Sequence, residues 1–159
     1  LGRALYALVF HDPTRPANLA RFNFLDPRAQ EFYLDWNDSA NTTVALLRTE
    51  ARRDPHNREL TDLVGELVTR SDEFRTRWGA HNVRLHRAGV KHFHHPIVGD
   101  LDLTFDAMNL PGEDASGLTL TVYTAEPGSP SEDALKLLAS WAATTHYDTH
   151  QTETDQRAR

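Results

Sequence analysis

Apolar residues recur along this chain with two different periods, and the change between them divides the sequence. Phe32, Trp36, Ala40, Val44, Leu47 and Ala51 follow at three- or four-residue steps and so share one helical face. Asp26-Pro27 opens that stretch, with an aspartate to cap the helix and a proline at its first position, where no amide hydrogen is needed. Asp54-Pro55 repeats the signal ahead of a second stripe, Leu60, Leu63, Val64, Leu67 and Val68. Ser71, followed by Asp72 and Glu73, caps a third helix, in which Phe74 and Trp78 are four apart and belong on one side. Before all of these, Gly2 to Phe10 reads as a short helix that stops ahead of Asp12-Pro13.

The second half alternates instead. Leu101-Asp102-Leu103-Thr104-Phe105 and Leu118-Thr119-Leu120-Thr121-Val122 each predict a strand with one buried face. The loop between them carries Pro111-Gly112, so the pair is expected to be antiparallel. Val90 to His94 adds a third strand, ending at Pro96. Ser129-Pro130-Ser131-Glu132 is a capping box, and Ala134, Leu135, Leu138, Trp141 and Ala142 supply the stripe of the helix that follows. Helices first and strands later predict an α+β fold, an antiparallel sheet with several flanking helices, and not alternating βαβ units. Three strands alone leave sheet edges that are ordinarily covered or joined, so the sheet reads as incomplete. Residues 1–145 form the predicted domain, and 146–159 a polar tail expected to be disordered.

Composition narrows the function. The 159 residues fit one domain with a real core. The net charge of −6 argues against a chain that grips DNA by itself, since phosphate neutralisation calls for a basic surplus. The one basic cluster, Arg48, Arg52, Arg53 and Arg58, is diluted by Glu50, Asp54 and Glu59 and reads as a solvated helix face. No apolar run approaches the ~18 residues of a membrane span. Cysteine is absent, which removes disulfides and thiolate metal sites and agrees with a cytoplasmic protein.

Candidate chemistry is sparse. His81, His86, His92, His94 and His95 crowd one stretch, and His92 and His94 would share a strand face as two zinc ligands could. Their spacing matches no common zinc pattern, so no metal site is expected. No nucleophile elbow, P-loop or dinucleotide fingerprint occurs, Ser129 and Ser131 already have capping work, and no enzyme is predicted. What stands out is Trp78-x-x-His81-Asn82-x-Arg84-x-His86, because arginine offers a planar fork of donors that suits a carboxylate.

Residues 78–84 (WGAHNVR), 91–99 (KHFHHPIVG) and 123–131 (YTAEPGSPS) together resemble the C-terminal ligand-binding domain of MmyB-like regulators, which follows an XRE-type helix-turn-helix. Leu47-Arg48, residues 63–67 (LVGEL) and residues 135–141 extend the likeness, which covers nearly everything from Leu1 to Thr145. Trp78, His81, Arg84, His95, Pro96, Gly99, Tyr123 and Glu126 match the family's pattern. The resemblance implies a PAS-like form of the α+β fold, a lipophilic ligand such as a fatty acid, and transcriptional control through a fused DNA-binding domain. It further implies that this domain and the first strands of the sheet precede Leu1, so that the chain is a fragment.

On that footing Phe22, Trp36, Leu47, Trp78, Leu120 and Tyr123 are expected to line an acyl pocket, with Arg84, helped by His81 or Asn82, on a carboxylate head group. The chain is expected to work in the cytoplasm as a homodimer, to reach DNA only through the missing domain, and to use no cofactor. The alternative is a dimerisation domain of the same regulator with no small-molecule ligand.

Overall fold

The computed structural model describes residues 1–11, 16–80, 88–110 and 118–157, with side chains up to Thr144 in the last segment. Among the described residues the elements are α1 (Gly2–Leu5), a 3-10 turn η1 (Ala7–Phe10), α2 (Leu19–Leu25), α3 (Arg28–Phe32), α4 (Trp36–Arg53), α5 (Arg58–Arg70), α6 (Asp72–Gly79), β1 (Ala88–His95), β2 (Gly99–Asn109), β3 (Thr119–Thr124) and α7 (Pro130–Arg157). Seven helices and a three-stranded antiparallel sheet of order β1-β2-β3 make the fold α+β. Helix α7 takes in most of the polar stretch from 146 onward.

The alternation in β2 does what it predicts. Leu101, Leu103 and Phe105 are buried, while Asp100, Asp102, Thr104 and Asp106 are exposed. The register pairs Phe93 with Leu101, Lys91 with Leu103 and Gly89 with Phe105, so these residues share the inner face. His92 opposite Asp102 and His94 opposite Asp100 occupy the outer face. Gly99, at φ +75°, turns the chain between β1 and β2 in a conformation that favours glycine.

Strand β3 behaves differently. Its apolar alternation puts Leu118, Leu120 and Val122 on the outer face, where all three are exposed, and of Thr119, Thr121 and Tyr123 on the inner face only Tyr123 is partly buried. The expectation of a buried Leu120 face is therefore corrected. Alternation identifies two faces but not which of them meets the helices. Because β3 pairs only with Thr104 to Asn109, the start of β2 is open on that side, and Ser131 at the head of α7 takes the Asp102 amide instead (2.9 Å).

Helix starts follow local chemistry. Ser71 accepts from the Phe74 amide at 3.1 Å and caps α6 as its sequence predicts. Ser129 accepts from the Glu132 amide, and Glu132 reaches back to the Gly128 amide (2.7 Å), which completes the expected capping box one residue early. Two starts differ from expectation. Helix α5 is capped by Asn57, whose side chain takes the Leu60 amide, and not by Asp54. The long stripe after Asp26 breaks at Tyr33 to Asp35 into α3 and α4. There the Leu34 amide donates to the His92 carbonyl and Tyr33 bridges to Phe93, so a contact remote in sequence interrupts the helix.

Two cores result. One lies on the inner face of the sheet, where Leu5, Phe22, Phe32, Tyr33, Phe93, Leu101, Leu103 and Leu138 are buried together. The other lies among the helices, where Ala20, Val44, Leu63, Leu67 and Phe74 are buried with Leu47 and Trp78 against them. Helix α2 serves both, with Phe22 on one side and Ala20 and Phe24 on the other.

Candidate functional site

The segment that joins the two cores also borders a cleft. Asn18 accepts from the amides of Ala20 and Arg21 and so starts α2. Four-residue spacing along α2 then places Leu25 beside Arg21, and both line the cleft with Phe22. The opposite wall is η1, which contributes Leu8 and Val9. Together these residues, with Pro27 and Arg28 beyond α2 and Arg70 at the end of α5, line an open cleft of about 490 Å³. That lies within the ~300–1,000 Å³ usual for small-molecule sites.

Its chemistry is divided. Leu8, Val9, Phe22 and Leu25 give the lining its apolar part, and Arg21, Arg28, Arg70 and His11 its basic part. Three arginines against one aspartate, Asp26, make the lining positive in a chain whose net charge is −6. The arginines are held but not used up. Arg28 forks onto Asp26 (2.9 and 2.6 Å), and this hydrogen bonding keeps the Asp26 carboxyl below its ordinary range. Arg21 Nε and Arg70 Nη1 both meet Glu66 (2.8 and 2.9 Å), and Arg21 does most to lower the Glu66 carboxyl. Each guanidinium carries five donors in a fixed plane, so donors remain for an acidic visitor. Arg21 and Arg28 are about a third exposed, so these pairs position the side chains more than they stabilise the fold.

Phe22 connects the cleft to the sheet. Its ring lies 5.8 Å from Phe32 and 6.2 Å from Tyr33, which continue to Phe93 at 5.3 and 5.7 Å. Polar atoms are buried inside this ring system. Tyr6 and Tyr123 share a hydroxyl hydrogen bond of 2.6 Å, and burial pushes both phenols above their ordinary range. His95 Nε2 donates to the Ala4 carbonyl (3.1 Å) while Nδ1 accepts from the Ile97 amide (3.3 Å). Only the neutral imidazole meets both partners, and burial lowers its basicity accordingly. Lys91 lies against the rings of Phe105 and Tyr33 (5.4 and 5.8 Å), and burial depresses its amine as well.

The residues singled out in the sequence are dispersed. Phe22 lines the cleft, and Tyr123 lies in the aromatic layer on the inner face. Trp36 sits at the seam, where its indole donates to the Asn23 carbonyl (3.0 Å) and Arg77 covers its ring. Leu47 and Trp78 pack in the helical core, where Trp78 stacks on Phe74 at 5.5 Å and Arg48 lies over its ring at 4.9 Å. Leu120 is exposed on the outer face of the sheet. His81, Asn82 and Arg84 lie outside the described residues. Among the described residues, then, the six apolar candidates are divided between the two cores, the cleft and the outer face of the sheet.

Sequence reasoning missed Leu8, Val9, Leu25, Arg21, Arg28 and Arg70. A signal existed: Asn18 followed by Phe22 and Leu25 starts an amphipathic turn, with an arginine at either end of it. Elsewhere His92 and His94 hydrogen-bond Asp102 and Asp100 (2.5 and 2.6 Å) on the outer face, and no group of three metal-ligating side chains occurs among the described residues. No helix of the described residues is long and apolar enough to cross a membrane.

Comparison with known proteins returns one family. Residues 1–138 match the model described as the MmyB-like transcription regulator ligand binding domain. No curated protein and no solved structure matches the chain.

Proposed function

The chain belongs to the family of MmyB-like transcription regulator ligand binding domains, and from that premise we propose that it senses a lipophilic acid, of which a fatty acid is the simplest form, in the cleft between η1 and α2. The observation that carries the reading is that apolar side chains and three arginines line one cleft in an otherwise acidic chain. An acyl chain laid on Leu8, Val9, Phe22 and Leu25 gains about 0.8 kcal/mol for each methylene removed from water. A carboxylate in the cleft meets planar, charge-assisted donors in Arg21 and Arg28.

The role is regulatory and not catalytic. A ligand acts by binding one conformation better than another, and its differential affinity sets how far the balance moves. In this reading the domain works in the cytoplasm, within a homodimer whose DNA contacts come from an XRE-type helix-turn-helix domain. Phe22 suits it for that task, since one ring is shared between the cleft and the core of the sheet.

Calorimetric titration with laurate and with 1-dodecanol tests the proposal, the two probes having equal carbon chains and different heads. Laurate is expected to bind, the alcohol to bind at least about tenfold more weakly, and Arg28→Gln to narrow the gap between them. Loss of one charged hydrogen bond of about 1.5–3 kcal/mol corresponds to that ratio or more. No heat with either probe would overturn the reading.

A further inference from the structure

We propose that η1 is the movable wall of the cleft, hinged at Tyr6 on an anchored α1, so that a ligand is read out as a displacement of Ala7–Phe10. This rests on the cleft being the ligand site, and it adds how occupancy leaves that site.

The two halves of the N-terminal segment are held very differently. Helix α1 buries Ala4 and Leu5 in the core of the sheet, and the Ala4 carbonyl accepts from buried His95. Turn η1 has no fully buried residue; its Leu8 and Val9 line the cleft and are only partly buried where they pack against the core of the sheet. Neither element has a side-chain cap, whereas Asn18, Asn57 and Ser71 cap α2, α5 and α6. A short uncapped turn with no fully buried side chain stands at the low end of local stability, where ligand-responsive elements are found.

Tyr6 lies at the joint. Its backbone (φ −102°, ψ 30°) leaves the helix, and the Val9 amide donates to its carbonyl to start η1. Its hydroxyl is fixed to Tyr123 on β3, and its ring packs on Phe32 and Phe93 at 6.0 Å each. The joint is therefore pinned to the sheet, while the turn beyond it lines the cleft. Material entering beside Leu8 and Val9 presses on the less secured side, and the pin keeps that displacement out of α1.

Hydrogen exchange read by mass spectrometry on the intact chain, without and with laurate, tests this. In the free protein the amides of Ala7–Phe10 should exchange about tenfold or more faster than those of Leu19–Leu25, and Tyr6→Phe should speed them further. Equal protection of η1 and α2, or no response to Tyr6→Phe, overturns the hinge whether or not laurate binds. Bound laurate should change exchange in Ala7–Phe10 and leave Gly2–Leu5 as it was. Binding with η1 unchanged defeats the readout alone, whereas no binding defeats the ligand reading and the readout with it, leaving the hinge to the free-protein arm.

Discussion

The two cores of this molecule are built from different materials. Against the sheet, rings touch rings from Tyr6 through Phe32 and Phe93 to Tyr123, and hydroxyls, an imidazole and an amine are buried among them. Among the helices the interior is chiefly aliphatic, Val44, Leu63 and Leu67 around Phe74, with Asn57 and Ser71 at helix starts and Asn23 buried between α2 and α4, where it donates to Ser39 and Thr43. Among the described residues the buried polar side chains between these helices, Asn23 with Ser39 and Thr43, carry no group that titrates near neutral pH. The aromatic core has His95, whose two bonds permit a single protonation state. One core supplies stability, and the other supplies stability that depends on conditions.

Replacing a large side chain shows first whether the two are separable. Phe93→Ala removes a fully buried ring at the centre of the aromatic layer and should cost about 3–5 kcal/mol in urea unfolding. Leu67→Ala should cost about 2–5 kcal/mol and leave the near-ultraviolet tyrosine signal of the folded protein intact. If Leu67→Ala flattens that signal as fully as Phe93→Ala, the cores are one cooperative unit.

Acid comes next. Histidine titrates near 6.5 when unfolded, and burial holds His95 below that in the fold, so the unfolded chain binds more protons between the two values. His95 therefore contributes fully above about pH 6.5, and its contribution is lost as the pH falls through its folded value. His92 runs the other way, because hydrogen bonding to Asp102 raises it; its smaller, exposed contribution holds below about pH 6.5 and fades as pH rises past its folded value. Unfolding midpoints across pH 4–8 should fall on the acid side in the native chain and stay flatter in His95→Gln.

Caps and hydroxyls give the smallest effects. Ser71→Ala should cost about 1 kcal/mol at the start of α6 and nothing in pH response. Tyr6→Phe should cost about 0.5–1.5 kcal/mol through the lost bond to Tyr123, measured by the same urea transitions.

The contrast also explains what could be read from the chain. The sheet was legible because Leu101, Leu103 and Phe105 alternate with charge, and Ser71 and Ser129 announced their helices because a cap is a local event. The break at Tyr33 was not legible, since the helical period runs straight through it and the interrupting bond comes from His92. Strand β3 misled for a related reason: Leu118, Leu120 and Val122 look like a core face, yet the packing turns Tyr123 inward instead. The cleft escaped because Arg21, Arg28 and Arg70 are ordinary surface charges until α2, α3 and α5 bring them to one cleft.

The most direct test locates the acyl chain. With methyl-labelled protein and carbon-13 laurate, intermolecular nuclear Overhauser contacts should reach Leu8, Val9 and Leu25 and be absent from Leu63 and Leu67. Contacts to the helical core, or none to η1 and α2, would contradict the account.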